Sequence, residues 1–181
     1  MIPTVLIVTT KERRPRLNLC LDAVRDNAGC PHKILLYEGN DGGCVPAMHK
    51  AIEGLNGLIY FMNDDMIMQP KCLKLLMKNY NDNLCYPEDG INKGELATTW
   101  LCDAEFMRKY LHKGYSHNYS DTEMTEIAKM QGKLKFVPEA HIVHNHWTAG
   151  ATKDETYTKN TQTMDKDRAL FLDRKAHNFY L

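Results

Sequence analysis

No apolar run in this chain reaches the roughly 18 to 20 residues that a helix needs to cross a bilayer. The longest, residues 5–8 and 58–62, read as buried strands. No secretory leader is legible either: the opening apolar stretch meets Lys11, Glu12, Arg13 and Arg14 with neither a basic lead nor a small-residue cleavage site. An excess of one charge is also missing, since 23 Lys and Arg balance 23 Asp and Glu. That balance argues against a protein that coats nucleic acid through bulk electrostatics. The six cysteines include no C-x-x-C pair; their scatter reads as packed, reduced thiols in a cytoplasmic protein, with three disulfides as the alternative. Neither G-x-G-x-x-G nor G-x-x-x-x-G-K-[ST] occurs, so neither a dinucleotide site nor a P-loop is indicated. Internal repeats, low-complexity tracts and interdomain linkers are absent as well.

What is present is an ordinary globular composition, 43% hydrophobic and 25% charged over 181 residues, enough for one domain with a real core. In the first half short apolar runs alternate with amphipathic segments, the pattern of a parallel sheet wrapped by helices. The expected class is therefore α/β, with a mostly parallel central sheet flanked by helices. Residues 4–8 read as a strand, and Leu17, Cys20, Leu21 and Val24 recur at helical spacing until Asn27-Ala28-Gly29 stops the helix. Residues 33–37 form a second strand, 46–53 a helix opened by Pro46, and 58–62 a central strand ending in Asn63-Asp64-Asp65. Beyond it the pattern predicts a helix over 70–80, a polar loop over 81–93, a strand over 95–101 and a helix over 104–112. Ser120-x-x-Glu123 predicts a capping box and a helix from about Asp121 to Gly132. Two short strands at 134–137 and 141–146, a polar mobile stretch at 148–159 and a terminal helix over 161–179 complete the reading.

In an open parallel sheet, ligands bind beyond the carboxyl ends of the strands. Thr9-Thr10-Lys11, the Glu38 to Asp41 segment and Asn63-Asp64-Asp65 all fall at such ends. Adjacent carboxylates delivered by an apolar strand repel one another, and a hard divalent cation such as Mg²⁺ or Mn²⁺ relieves that repulsion. Continued strand geometry puts Asn63 and Asp65 on one face and Asp64 on the other, which makes Asp65 the best single ligand. The bland alternative is a strand-ending Asx turn that needs no metal. In His141-Ile142-Val143-His144-Asn145-His146, alternation places His144 and His146 on one face, where two imidazoles can approach one cation. Asp121 is either an acid that complements a helix dipole or a general base held at a helix start.

Taken in order, these residues resemble the family 2 nucleotide-sugar glycosyltransferases, which have the GT-A fold. The resemblance spans about residues 4–147 and rests on Thr9-Thr10-Lys11-Glu12-Arg13-Arg14-Pro15, Tyr37-Glu38-Gly39-Asn40, Ala47-Met48-His49-Lys50-Ala51-Ile52, Asn63-Asp64-Asp65, Tyr119-Ser120-Asp121-Thr122-Glu123 and Pro138 to His144. It implies a core over 1–147, with a nucleotide-sugar half over about 1–70 and an acceptor half over about 71–147. Residues 148–181 would be a flexible loop and a C-terminal helix packed on that core.

Residue by residue, the resemblance implies that Asp65, with His144 and His146, holds Mn²⁺ or Mg²⁺ against the donor diphosphate. Thr9, Thr10, Glu38, Asn63 and Asp64 would bind the nucleotide-sugar, and Asp121 would be the base of a single displacement with inversion. The implied partners are a nucleoside-diphosphate sugar, a UDP-sugar first among them, and an acceptor with a free hydroxyl: a glycan, a lipid-linked glycan or a modified nucleic acid. A homodimer is an open assembly. The family often has Arg-Asn where this chain has Met48-His49, and Glu-Asp where it has Ser120-Asp121. Competing readings are a metal-dependent nucleotidyltransferase, a noncatalytic nucleotide-sugar-binding module and, more narrowly, a viral DNA-modifying sugar transferase.

Overall fold

The computed structural model describes residues 1–39, 42–146, 150 and 155–181. Its elements run β1 (Thr4–Thr9), a 3-10 turn (Lys11–Arg13), α1 (Arg14–Asn27), β2 (Lys33–Glu38), α2 (Cys44–Ile52), β3 (Leu58–Asn63), β4 (Met66–Met68), α3 (Cys72–Asn79) and β5 (Leu84–Glu88). The order continues with β6 (Trp100–Asp103), α4 (Ala104–Tyr110), α5 (Ser120–Met130), β7 (Leu134–His144), α6 (Glu155–Gln162), α7 (Met164–Ala176) and a final 3-10 turn (Asn178–Tyr180).

The strands form one seven-stranded sheet in the order β2-β1-β3-β6-β5-β7-β4. Strand alternation divides its core into two layers. Val5, Ile7, Leu58, Tyr60 and Met62 pack against Leu17, Cys20 and Val24 of α1 and Leu73 and Leu76 of α3. Leu6, Val8, Ile59 and Phe61 point the other way, onto Val45 and Met48 of α2, Met107 of α4, Met124 of α5 and Phe171 of α7. Each such side chain contributes about 1.5–3 kcal/mol by leaving water. Both faces of the central strands are covered, which is why β1 and β3 read as continuous apolar runs.

β1 pairs in parallel with β2 on one side and with β3 on the other, so the chain reverses its direction of sheet growth at β1. The carboxyl ends of β1 and β3 lie side by side, with Val8 opposite Asn63. This is the switch point at which a cleft opens. β6 runs antiparallel to β3 and β5 antiparallel to β6, whereas β5 and β7 are parallel.

Several local expectations change. Residues 81–93 are not all loop, because Leu84–Glu88 is buried as β5 between β6 and β7. The strand expected over 95–101 forms only at Trp100–Asp103. The two short strands expected after Gly132 are one strand, β7, with a register shift where Pro87 faces Val137 and Glu88 faces His141. Past that irregularity β7 leaves β5 and pairs antiparallel with β4, setting Met66 opposite His144. The capping box does not form: Tyr119, in the left-handed region at φ 65°, precedes the helix, and Ser120 is its first residue. Glu123 instead accepts from the Tyr115 hydroxyl at 2.6 Å and pairs with Arg174 at 2.9 Å. The terminal helix is two helices, α6 and α7, separated at Thr163. Of the stretch expected to be mobile, residues 148–149 and 151–154 lie outside the described residues, and 155–159 are helical. All six cysteines are free thiols.

Candidate functional site

Beyond the ends of β1 and β3 lies a cavity of about 490 Å³, lined by Thr9, Thr10, Arg13, Asn63, Asp64, Asp65, Asp121, His144, His146 and Tyr157 among others. Eight of the nine residues singled out from the sequence meet there; Glu38 does not line it. Its carboxylate turns to Arg14, 3.1 Å away, at the exposed end of β2.

The chain turns at Asp64-Asp65 instead of remaining extended, so the two carboxylates do not face opposite ways as strand alternation predicted. Both reach Arg13. Its Nε lies 3.2 Å from Asp64 Oδ1 and its Nη2 3.5 Å from Asp65 Oδ2, with all three side chains buried. Thr9 Oγ1 donates to Asp64 Oδ2 at 2.6 Å. The β4–β7 pairing, continued by the bond from Asn145 N to Asp65 O at 2.9 Å, brings His144 Nε2 to 3.5 Å from Asp65 Oδ1. The His146 ring lies beside that of His144, with centroids 5.2 Å apart, but not through alternation: β7 ends at His144, and the bond from His146 N to His144 O at 2.7 Å turns the chain there.

Helix α6 supplies Tyr157, whose hydroxyl donates to Asp65 Oδ2. Arg13 and Arg16 cover its ring at 5.0 and 5.3 Å, and His146 meets it edge-on. Burial pushes the Asp65 carboxyl upward. The hydrogen bond and charge of His144, the Tyr157 hydroxyl and the Arg13 guanidinium outweigh burial and hold it well below the usual carboxylate range. The Tyr157 hydroxyl is correspondingly pushed up to about 12, by burial first and then by Asp65.

Asp65 Oδ1 is buried and faces His144 Nε2 at 3.5 Å. Together with His144 Nε2 it offers one carboxylate oxygen and one imidazole nitrogen facing each other, a donor set that fits Mn²⁺ or Mg²⁺ when substrate phosphates supply further oxygens. No cluster of three or more potential metal-binding side chains occurs among the described residues.

Asp121 lines the same cavity from the first turn of α5, half-buried, with Oδ1 accepting from Thr122 N at 2.8 Å. Burial raises its carboxyl above the ordinary value, and its hydrogen bonds offset this only in part. His117, on the loop before α5, is pushed down to about 4 by burial and by Arg13, and its Nε2 lies 2.8 Å from Asn160 Nδ2. Neutral near pH 7, it faces the cavity as a hydrogen-bonding group.

Sequence reading missed Arg13, Tyr157 and His117 as site residues. Arg13 sits in a run of basic residues indistinguishable from a solvated helix start, and Tyr157 in a polar segment without periodicity.

No family model matches the chain, and no curated protein matches it. Solved structures do. One crystal structure of residues 1–349 of S. aureus TarS aligns over 78% of this chain at TM-score 0.58 and 10% identity. The chain spans 60% of the length of that protein. The same TarS fragment in complex with UDP aligns over 96% of this chain and 71% of its own, at TM-score 0.58 and 11% identity. A Drosophila β1,4-galactosyltransferase 7 mutant in complex with manganese, UDP-Gal and xylobiose aligns over 88% of this chain and 79% of its own, at 0.55 and 10%. A putative glucose-1-phosphate thymidylyltransferase from Bacillus anthracis aligns over 86% and 99%, at 0.54 and 8%. The fold is that of the GT-A glycosyltransferases, a mixed, mostly parallel sheet flanked by helices.

Proposed function

We propose that this protein is a divalent-metal-dependent glycosyltransferase of the family 2 type, moving a sugar from a nucleoside diphosphate to an acceptor hydroxyl with inversion. One observation carries the reading: the facing pair Asp65 and His144 shares a cavity with Asp121, whose carboxyl burial keeps basic. The complexes of TarS with UDP and of galactosyltransferase 7 with manganese and UDP-Gal support a nucleotide-sugar donor, and a UDP-sugar is the one to try first.

Asp65 and His144 would hold the ion, which supplies charge neutralisation to the departing diphosphate. Arg13 adds fixed positive charge at the same end of the cleft, and Thr9 orients the Asp64 carboxylate beside it. Thr10 and Asn63 line the same cavity and would contact the nucleotide-sugar. Asp121, from the start of α5, takes the proton from the acceptor hydroxyl as that oxygen attacks the anomeric carbon. A carboxyl raised above its ordinary value is a stronger base for that step. α6 covers the donor side through Tyr157 and limits entry of water.

UDP release from a panel of UDP-sugars, measured with Mn²⁺ and with chelator, tests the proposal. Metal-dependent release that is lost in Asp65→Ala and Asp121→Ala supports it; release unchanged in either folded variant overturns it. The nucleotidyltransferase reading draws on the thymidylyltransferase likeness. It predicts pyrophosphate release from a nucleoside triphosphate and a sugar phosphate, which the same assay series detects. Metal-dependent binding of UDP-sugar without turnover on any acceptor would instead favour a binding module.

A further inference from the structure

The loop that carries the cavity wall toward Asp121 is held from behind by a carboxylate. Asp167, on α7, is fully buried and does not itself line the cavity. Its Oδ1 accepts from Ser116 N at 3.0 Å, and its Oδ2 accepts from His117 N at 2.9 Å and Asn118 N at 2.8 Å. No Lys, Arg or His side chain forms an ion pair with it among the described residues; besides the three amides it has only the Thr163 hydroxyl, at 3.5 Å. Three consecutive amide N–H groups converging on one anion form a nest, which fixes the direction of the chain that carries them.

The other side of the loop faces function. Ser116, His117 and Asn118 all line the cavity. Ser116 O accepts from Val45 N at 3.3 Å, where Gly43 lets the two backbones meet. Asn118 Nδ2 donates to Asn160 O at 3.0 Å and to Thr163 Oγ1 at 3.2 Å. Only Tyr119 and Ser120 separate the nest from Asp121.

We propose that Asp167 is a positioning residue for the proton-accepting carboxylate: by gathering the 116–118 amides it sets where α5 begins and so where Asp121 stands relative to the donor. The catalytic consequence rests on the transferase reading above, whereas the mechanical claim does not. In sequence Asp167 reads as one acid among the charged residues of a helix start. Its full burial is what separates it from Asp165.

Two measurements test this. In the wild-type protein, hydrogen exchange of the Ser116, His117 and Asn118 amides is expected to be as slow as that of β3. Exchange at the rate of an exposed loop would overturn the proposal without any variant. In Asp167→Asn, which keeps the shape but sets an amide against the N–H groups, exchange at 116–118 and at Thr122 N is expected to speed by about 100-fold relative to β3. Transfer should show kcat lower by about 100-fold at an unchanged KM for the donor, the scale of a displacement of about 1 Å. A folded Asp167→Asn protein with wild-type kcat, or with local exchange unchanged, overturns the positioning role. If the wild-type chain releases UDP from no UDP-sugar, the transferase reading fails, and exchange at 116–118 and Thr122 still decides whether Asp167 fixes this loop.

Discussion

The Tyr157 hydroxyl bonds to the Asp65 carboxylate although 92 positions separate the two residues. The bond ties α6 to Oδ2 and draws carboxylate charge away from Oδ1, the oxygen that faces His144 and would face a bound cation. Tyr157→Phe removes the donor while keeping the ring between Arg13 and Arg16. A hydrogen bond to a charged group is worth about 1.5–3 kcal/mol, so Mn²⁺ is expected to bind roughly tenfold more tightly to the variant. Titration calorimetry with Mn²⁺ and UDP checks this, and weaker binding would contradict it.

Asp121 should trade stability for activity. Its raised carboxyl means that the folded state disfavours the charged form, so the native protein holds that proton where the unfolded chain has lost it. Its contribution to stability is full below the ordinary carboxylate value and declines as pH rises through the raised one. Asp121→Asn is therefore expected to melt higher than wild type near pH 7, with the difference closing in acid. It should also lose about 100- to 10,000-fold in kcat, the range for removing a general base. The acid limb of the wild-type kcat/KM profile should lie above the ordinary carboxylate value and disappear in the variant.

Glu123 and Arg174 form a buried pair, with side chains 1% and 13% exposed. Arg174→Met strands the carboxylate with only the Tyr115 hydroxyl and is expected to cost about 3–5 kcal/mol in denaturant unfolding. The double variant Glu123→Gln, Arg174→Met should recover part of that loss, because no buried charge is left alone. Additive losses would mean that the two side chains do not act as a pair.

Gly43 sits at φ 142°, where a Cβ would come within 2.0 Å of Ser116 O. Gly43→Ala should lower the melting temperature by several degrees and reduce turnover together, since the backbone it pushes is the one that leads to Asp121. A variant of unchanged stability and rate would show that the 116–118 loop moves freely.

Much of this was readable in the sequence where the signal was local. The apolar runs of β1 and β3, the end of α1 at Asn27 and the acidic turn after Met62 follow from periodicity and turn chemistry. The approach of His144 to Asp65 was implied by family resemblance, but its physical cause is the pairing of Met66–Met68 with the end of β7, and β4 is too short to be seen by alternation. Glu38 was expected at the nucleotide and stands instead with Arg14, an exposed pairing that no spacing rule predicts. Glu123 read as a capping residue because its spacing from Ser120 is right. Tertiary contact overrode that local option by offering Arg174, 51 residues later. Tyr157 and Asp167 share the same difficulty, since their roles depend on which surface α6 and α7 cover.

The long strand β7 also imposes an order in time. A chain emerging from the ribosome presents Asp64 and Asp65 well before His144, and Tyr157 comes later still. During that interval Arg13, already made and at the head of α1, is the counter-charge within reach of the two carboxylates. Arg13 can therefore pair with the acidic turn before its imidazole exists, and a metal ion held by Asp65 and His144 would add stability only to molecules whose last strand has closed.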